Sequence, residues 1–138
     1  MADHNSGTLI QYRIKRAVNS LAAARSLLNN GHYDAAVNRL YYACFYAVNA
    51  VLLTKDIKVK SHAGVKQVFG EFFIKPGIIH KNEGRFYSIL FNYRQDSDYL
   101  DFAEVSKEFT EELTNEADTF VQVLINYLLQ NNFYQPTE

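Results

Sequence analysis

The chain has 138 residues, 48% of them hydrophobic and 21% charged, which is typical of a single globular domain large enough to bury a core. Its formal net charge of -1 excludes a general polyanion-binding protein, so any phosphate contact has to come from a local basic patch. The single cysteine, Cys44, excludes an intrachain disulfide and a cysteine-rich metal site, and it favours a reducing compartment.

The N-terminal segment has neither a basic start nor a long apolar run, so the sequence predicts no signal peptide. The longest nearly apolar stretch, Leu40 to Leu53, is too short to cross a bilayer. We therefore expect a cytoplasmic protein without membrane contact. One domain is expected over residues 1–138, with residues 1–7 and 132–138 frayed.

The first two predicted helices are joined by a glycine turn. Apolar residues at helical spacing predict the first helix from about Thr8 to Asn30. Gly31 suits the left-handed conformation that commonly ends a helix. The second helix is predicted to begin at Tyr33 or Asp34 and to run to about Lys55.

The second helix is the most informative element, because apolar residues cover two of its faces. One stripe consists of Val37, Leu40, Tyr41, Cys44, Val48, Val51 and Leu52. The other stripe, which runs through Arg39 and Asn49, consists of Ala35, Tyr42, Tyr46 and Leu53. A helix with two apolar stripes has to be covered on more than one side, and polar side chains within it need partners. The pattern predicts a central helix.

Two more helices follow before the last one. Ser61 is a good N-cap for a third helix that reaches about Ile74, where Lys75-Pro76-Gly77 stops it. The fourth helix is predicted from about Glu83 to Asp96. A break is predicted at Ser97 to Asp101.

The last helix, which is predicted to run to about Asn131, is built on Val105, Phe109, Leu113, Phe120, Leu124 and Leu128. The mostly short loops predict an all-α, antiparallel bundle of four to five helices. With 10 tyrosines and 10 phenylalanines, the chain has more rings than such a core requires. Surplus tyrosines indicate a partner face, so we expect a homodimer.

Basic residues gather around the start of the third helix. Lys55, Lys58, Lys60 and Lys66 stand against Asp56 alone, and His62 lies just inside the helix start. Backbone amides and the helix dipole favour an anion at such a position. The alternatives are a solvated lysine-rich loop and a histidine that caps or packs at the helix start.

The predicted fourth helix ends in a polar cluster that contains Arg94, Asp96, Asp98 and Tyr99. An arginine can hold a phosphate through two parallel hydrogen bonds. Equally, Asp96 and Asp98 can form a structural ion pair with Arg94. Spacing alone favours the ion pair.

Three motifs together resemble the HEPN domain family. They are Asn38-Arg39-Leu40-Tyr41-Tyr42-Ala43-Cys44-Phe45, Ser61-His62-Ala63-Gly64-Val65, and Arg94 through Asp98-Tyr99. The similarity is to the small stand-alone branch, and it covers the chain from the first helix to about Gln130. It implies a helical bundle that dimerises and is often encoded beside a minimal nucleotidyltransferase. Many members are toxin or antitoxin components, and many are metal-independent ribonucleases.

The resemblance also implies catalytic residues. Arg94 matches the arginine of the family's ribonuclease signature, but the histidine expected four to six residues later is replaced by Asp98, Tyr99 and Leu100. A carboxylic acid with a pKa of about 3.9 is a poor proton donor at neutral pH, and a phenol with a pKa of about 10 is a poor base. Catalysis would therefore depend on Arg94 with Asp98, Tyr99 or a displaced His62. The spacing of Arg25 and His32 is a chance match, because the pair straddles a helix end.

Nucleotide or RNA binding is implied for Arg39, Tyr42, Lys60, His62 and Arg94, with Arg39 and Tyr42 facing Arg94 across the bundle. The alternative for Arg39 is neutralisation of a buried carboxylate while Tyr42 packs. The sequence has no metal-ligand spacing and no glycine-rich phosphate loop, so we expect neither a metal nor a cofactor.

Three hypotheses remain after the sequence has been considered. The first is a dimeric module that binds a nucleotide, RNA or a partner nucleotidyltransferase without efficient catalysis. The second is a metal-independent ribonuclease toxin with a degenerate motif. The third is a purely structural dimer. The sequence does not distinguish a toxin from an antitoxin, or show whether AMP transfer to a tyrosine regulates the protein.

Overall fold

The computed structural model describes residues 4–99 and 105–136, with side chains described for residues 7–95 and 105–136. Within these residues the chain forms five α-helices and no strand: α1 His4–Asn29, α2 Tyr33–Leu52, α3 His62–Phe69, α4 Lys81–Tyr99 and α5 Lys107–Gln130. A 3₁₀ turn, Leu53–Lys55, continues α2, and a π-helical turn, Gly70–Ile74, continues α3. The all-α prediction is confirmed.

Helices α1 and α2 form an antiparallel hairpin that is closed by the predicted glycine turn. Gly31 has a φ of 80°, and the bonds from Gly31 N to Leu28 O (3.1 Å) and from His32 N to Leu27 O (2.8 Å) satisfy the last carbonyls of α1. A side chain at Gly31 would make this left-handed conformation costly. The turn therefore sets the register in which α1 side chains meet α2.

Helix α2 lies at the centre of the bundle and packs against α1, α4 and α5. Its first apolar stripe is buried, as predicted. On the second stripe only Leu53 is buried, whereas Arg39, Tyr42, Tyr46 and Asn49 are half-buried. One chain therefore covers one face of α2 completely and leaves the other partly open to solvent.

A column of stacked rings connects α2 to α4 and α5. Tyr41 stacks on Tyr87 with ring centroids 6.0 Å apart, and Tyr87 stacks on Phe120 at 5.9 Å. All three rings are at least 99% buried. Such aromatic pairs contribute about 0.5–1.5 kcal/mol beyond the burial of their area. The column accounts for several rings that appeared surplus in the sequence, and it fixes the position of Tyr41.

The predicted boundaries of the fourth helix are wrong at both ends. Helix α4 begins at Lys81 because His80 caps it, with Asn82 N donating to His80 Nδ1 at 3.1 Å and Glu83 N donating to His80 O at 3.0 Å. The helix then continues through Ser97 to Tyr99, where a break was predicted. No glycine or proline interrupts it there, so nothing in the backbone stops the helix.

The third and last helices also differ in detail from the prediction. Ser61 caps α3 as predicted, but the predicted helix up to Ile74 changes to π-helical bonding at Gly70. In the last helix, Ser106 accepts a hydrogen bond from Phe109 N at 3.1 Å, which sets the start of α5 at Lys107. Val105 therefore precedes α5 instead of belonging to it.

The segment after α5 lies against α1. Gln11 Nε2 donates a hydrogen bond to the carbonyl of Gln135 at 3.1 Å, and Phe133 and Tyr134 pack against the core. These contacts belong to residues 132–136, for which fraying was predicted. Among the helices of the described residues, none has the length and apolar character needed to span a bilayer.

Candidate anion-binding site

The guanidinium of Arg94 lies against two neighbouring tyrosines of α2. Its Nη2 donates a hydrogen bond to the Tyr42 hydroxyl at 3.0 Å, and its Cζ lies 5.2 Å from the Tyr41 ring centroid and 5.3 Å from that of Tyr42. A cation over aromatic faces is attracted by their quadrupoles. Because Tyr41 is held in the ring column, the half-buried Arg94 has a defined position at the edge of the core.

Arg39 reaches the same tyrosine from α2 itself. Its Nη2 donates to Ser20 Oγ on α1 at 3.0 Å, and its Cζ lies 5.9 Å from the Tyr42 ring centroid. Among the side chains that the structure describes, no carboxylate forms an ion pair with Arg39. The side chains of residues 96–104 lie outside the described residues, so the alternative of a buried carboxylate partner stays a prediction. Two guanidinium groups therefore gather around Tyr42.

His62 is the first residue of α3 and lies against the same tyrosines. Its Nδ1 is 2.8 Å from the Tyr41 hydroxyl, and its ring stacks on Phe45 with centroids 4.4 Å apart. Its ring centroid is 5.9 Å from that of Tyr42. The predicted N-cap places His62 here, since Ser61 Oγ accepts a hydrogen bond from Gly64 N at 3.0 Å.

The electrostatics of this cluster favour neutral side chains around the arginines. Burial, with a smaller contribution from the charge of Arg94, lowers the pKa of His62. Burial raises the pKa of Tyr41, and its contacts with Tyr87 and Arg94 oppose that shift only in part. At neutral pH the imidazole and the phenol are therefore both uncharged, and the positive charge of the cluster resides on the arginines.

We call the group formed by Arg39, Tyr41, Tyr42, His62 and Arg94 the Arg94 cluster. Four of its members belong to the predicted binding residues. Lys60, the fifth predicted binding residue, is exposed two positions before His62, and the hydrogen bonds and cation–aromatic contacts described for the cluster do not include it. Tyr41 was not predicted as a site residue, because its place on the buried stripe gave no sign of the contact with His62.

Two predicted catalytic residues, Asp98 and Tyr99, belong to the last turn of α4. Their side chains, and that of Asp96, lie outside the described residues. The predicted ion pairs of Arg94 with Asp96 and Asp98 therefore stay predictions.

A second arginine–tyrosine contact continues along the open stripe of α2. Arg16 of α1 donates to the Tyr46 hydroxyl at 2.7 Å and to the Tyr12 hydroxyl at 3.2 Å, and its Cζ lies 4.9 Å from the Tyr46 ring centroid. Sequence reasoning missed this contact. The spacing of Tyr12 and Arg16, one helical turn apart on α1, is a signal from which the contact between these two residues could have been predicted.

Metal and thiol chemistry have no support in the described residues. No group of three or more His, Cys, Asp or Glu side chains among them is arranged to hold a metal ion. Cys44 is fully buried, and burial raises the pKa of its thiol far above its usual range. Cys44 is therefore a core residue, and its surroundings disfavour the thiolate, which is the reactive form.

Comparison with protein families identifies the domain. The model of the HEPN domain matches residues 10–128, which is most of the chain. The chain belongs to the HEPN domain family. Helices α1 to α5 lie within or close to the matched region, so the five-helix bundle is the HEPN domain of this protein.

Individual relatives extend this comparison. A protein of Methanocaldococcus jannaschii named "Putative toxin MJ0142" is 39% identical over 119 residues, covering 86% of this chain and 81% of that protein. A "UPF0332 protein" of Thermotoga maritima is 36% identical over 116 residues, covering 84% and 88%. A second M. jannaschii protein, "Putative toxin MJ0605", is 39% identical over 112 residues, covering 81% and 83%. The similarity to these HEPN relatives spans most of each protein.

Proposed function

We propose that this HEPN protein is a component of a toxin–antitoxin-like system that binds nucleotides or RNA through their phosphate groups at the Arg94 cluster. The observation that carries the proposal is the convergence of Arg94 and Arg39 on the Tyr42 ring, at 5.3 and 5.9 Å. A planar guanidinium matches the oxygens of a phosphate and can bind two of them at once.

The tyrosines give the cluster a second property that suits a nucleotide. Tyr42 is half-buried, so part of its side chain is accessible, and Tyr46 continues the open stripe of α2 one turn further on. Flat aromatic side chains beside arginines bind single-stranded nucleic acids by stacking on the bases while the cations hold the backbone. A nucleotide therefore fits this surface better than an isolated inorganic anion does.

The open stripe also supports the proposed homodimer. Tyr42, Tyr46 and the exposed Tyr12 present apolar rings with polar tips, which is typical of interface residues. In the proposed dimer the two Arg94 clusters face a shared cleft. A minimal nucleotidyltransferase is the proposed partner, as the resemblance of the motifs implies. Two of the relatives carry the name "Putative toxin", which supports a role of the same kind here.

A binding measurement with matched arginine variants tests this function. We expect the Arg94→Ala variant to bind fluorescent adenosine monophosphate and a short single-stranded RNA about 10- to 100-fold more weakly, since a hydrogen bond to a charged group contributes about 1.5–3 kcal/mol. Arg39→Ala should show a smaller loss in the same direction.

Arg25→Ala is the control, because it removes the same group from a side chain that already pairs with Asp118. It should bind both ligands like the unaltered protein. It also tests whether the spacing of Arg25 and His32 is a chance match. Equal affinities of Arg94→Ala and Arg25→Ala would refute the proposed function.

The second candidate function is a metal-independent ribonuclease, and one observation favours it. His62 is a neutral imidazole in contact with the same two tyrosine rings as Arg94, so a group able to accept a proton at pH 7 lies beside a group able to stabilise phosphorane charge. In this candidate His62 replaces the histidine that is missing after Arg94.

Growth and RNA cleavage separate the two candidates. A ribonuclease should arrest growth when it is expressed and should cleave RNA without a metal ion. Both effects should disappear in Arg94→Ala and His62→Gln, and Asp98→Asn and Tyr99→Phe then test the remaining proton donors. RNA binding without cleavage in the unaltered protein would reject the ribonuclease and retain the binding module.

A further inference from the structure

We infer that the groove between α3 and α4 is a subsite for single-stranded RNA, which takes the nucleotide next to the phosphate bound at the Arg94 cluster. The groove has a volume of about 490 Å³. Its apolar floor is formed by Phe69, Tyr87 and Phe91, and its rim carries Lys66, Lys81 and Arg85. This inference rests on the proposed function and extends it, because it predicts a ligand of at least two nucleotides.

The charges around the groove favour an anion. Within the part of the chain that the structure describes, no carboxylate pairs with Lys66, Lys81 or Arg85. The one acidic residue on the rim, Glu71, lies 4.0 Å from Lys75 and is partly neutralised by it. Three cations around one partly neutralised acid attract a polyanion and would repel a basic peptide.

The floor of the groove is apolar, and the three rings that form it are at least 92% buried. The Lys66 ammonium lies 5.2 Å from the Phe91 ring centroid, so a cation and an aromatic face occur together. Lys66 therefore holds a positive charge at the boundary between the apolar floor and the rim, where the phosphate of one nucleotide can meet it. The position of the groove beside the Arg94 cluster favours a strand that extends from that cluster over a separate acidic peptide, and competition with such a peptide is one outcome of the binding test.

The groove lies next to the Arg94 cluster on α4. Tyr87, Phe91 and Arg94 follow one another on one face of α4 at spacings of four and three residues. Tyr87 stacks on Tyr41, and the Phe91 ring lies 6.4 Å from the Tyr41 ring. Ala63, which lines the groove, directly follows His62. A strand with one phosphate at Arg94 therefore enters the groove with its next nucleotide.

The backbone opposite α4 has an unusual conformation. The π-helical turn Gly70–Ile74 begins at the groove, which Gly70, Glu71 and Ile74 line. Gly70 has no side chain to narrow the groove, and nothing lies within 4 Å of the position that a Cβ would occupy there. The wall thus leaves room for a ligand.

A comparison of ligands of two lengths tests the subsite. The probes are fluorescent adenosine monophosphate and a single-stranded RNA of about six nucleotides, because a short strand reaches a second subsite and a single nucleotide does not. We expect Lys66→Ala/Arg85→Ala to bind the RNA about tenfold more weakly and the mononucleotide within about twofold of the unaltered protein. Lys81→Ala/Arg85→Ala should behave in the same way, which guards against a local effect of the half-buried Lys66.

The control removes two cations from elsewhere on the chain. Arg25→Ala/Lys107→Ala, in which both altered side chains have carboxylate partners, should bind both probes like the unaltered protein. The salt dependence gives a second readout. On a plot of the logarithm of RNA affinity against the logarithm of salt concentration, the slope should become less steep by about 0.7 for each lost phosphate contact. This change should occur in the groove variants and not in the control.

The outcomes distinguish the two proposals. If the groove variants bind the RNA normally while Arg94→Ala weakens both probes, the subsite is rejected and the proposed function stands. If Arg94→Ala has no effect on the mononucleotide, the proposed function itself fails. Displacement of the RNA by an acidic peptide, but not by a second RNA of unrelated sequence, would assign the groove to a protein partner and overturn the inference.

Discussion

The Tyr41 hydroxyl and Nδ1 of His62 lie 2.8 Å apart, and this hydrogen bond connects the middle of α2 to the first residue of α3. Tyr41 is held in the ring column of the core, whereas His62 lies at the half-buried edge. The bond therefore fixes the imidazole relative to Arg94, whose Cζ lies 5.2 Å from the same tyrosine ring.

The pKa of His62 should report the charge of Arg94. Burial is the main cause of its lowered pKa, and the positive charge of Arg94 is the second. Arg94→Ala should therefore raise the pKa of His62, though not to its ordinary value of about 6.5. An NMR titration of the imidazole signals measures the change, and Arg25→Ala is the control. A His62 pKa unaffected by Arg94→Ala would place the two groups too far apart to interact.

Stability should decrease on acidification because of His62. Since the pKa of His62 is lower in the folded chain, the unfolded chain binds more protons. The stabilisation that comes from the neutral form of His62 is fully present above the pKa of about 6.5 that His62 has in the unfolded chain. It is lost as the pH falls through the pKa that His62 has in the folded chain. The free energy of unfolding should thus fall less between about pH 7.5 and about pH 5.5 in His62→Gln than in the unaltered protein. Equal pH dependence in urea unfolding would contradict this.

Two glycines should respond in opposite ways to substitution by alanine. A Cβ at Gly64 would lie 2.5 Å from Val59 Cγ1 and 2.7 Å from Ser61 Oγ, whereas a Cβ at Gly70 meets nothing within 4 Å. Gly64→Ala should displace the Ser61 cap and reduce stability by about 1 kcal/mol or more. Gly70→Ala should be neutral or should stabilise by up to about 1 kcal/mol. Thermal unfolding compares them, and the account fails if Gly64→Ala is the more stable variant.

The proposed homodimer should depend on the α1–α2 face. Tyr12 and Ile89 are both exposed, at 52% and 46%, but Tyr12 contacts Arg16 beside the open stripe of α2, whereas Ile89 belongs to α4. We expect a dimer at micromolar concentration by light scattering, conversion to monomers in Tyr12→Asp, and no change in Ile89→Asp. A monomeric unaltered protein, or dissociation by Ile89→Asp alone, would contradict the proposed interface.

Most of the fold was predictable because it depends on periodic and local signals. The buried stripe of α2, the Gly31 turn and the Ser61 cap all appear in the sequence as residue spacing or residue type. The ends of α4 were not predictable in the same way. A histidine is not a usual cap, and a helix without a breaker continues as far as its surroundings allow.

The candidate site was less accessible to sequence reasoning. The family motifs pointed to Arg39, Tyr42, His62 and Arg94, and the structure brings these four together. The roles of Tyr41 and Phe45 depend on how α3 packs against α2, which no local pattern encodes. The contact between Arg39 and Ser20 likewise depends on the register of α1 against α2.

The most direct test of the central claim is to observe His62 by NMR while adenosine monophosphate is added. Phosphate bound at Arg94 should shift the His62 imidazole signals and raise the His62 pKa, because a nearby negative charge favours the protonated ring. The exposed His32 and His80 serve as internal references and should not change. If His62 remains unaffected at saturating nucleotide, or if His32 and His80 shift as much as His62, the Arg94 cluster is not the binding site.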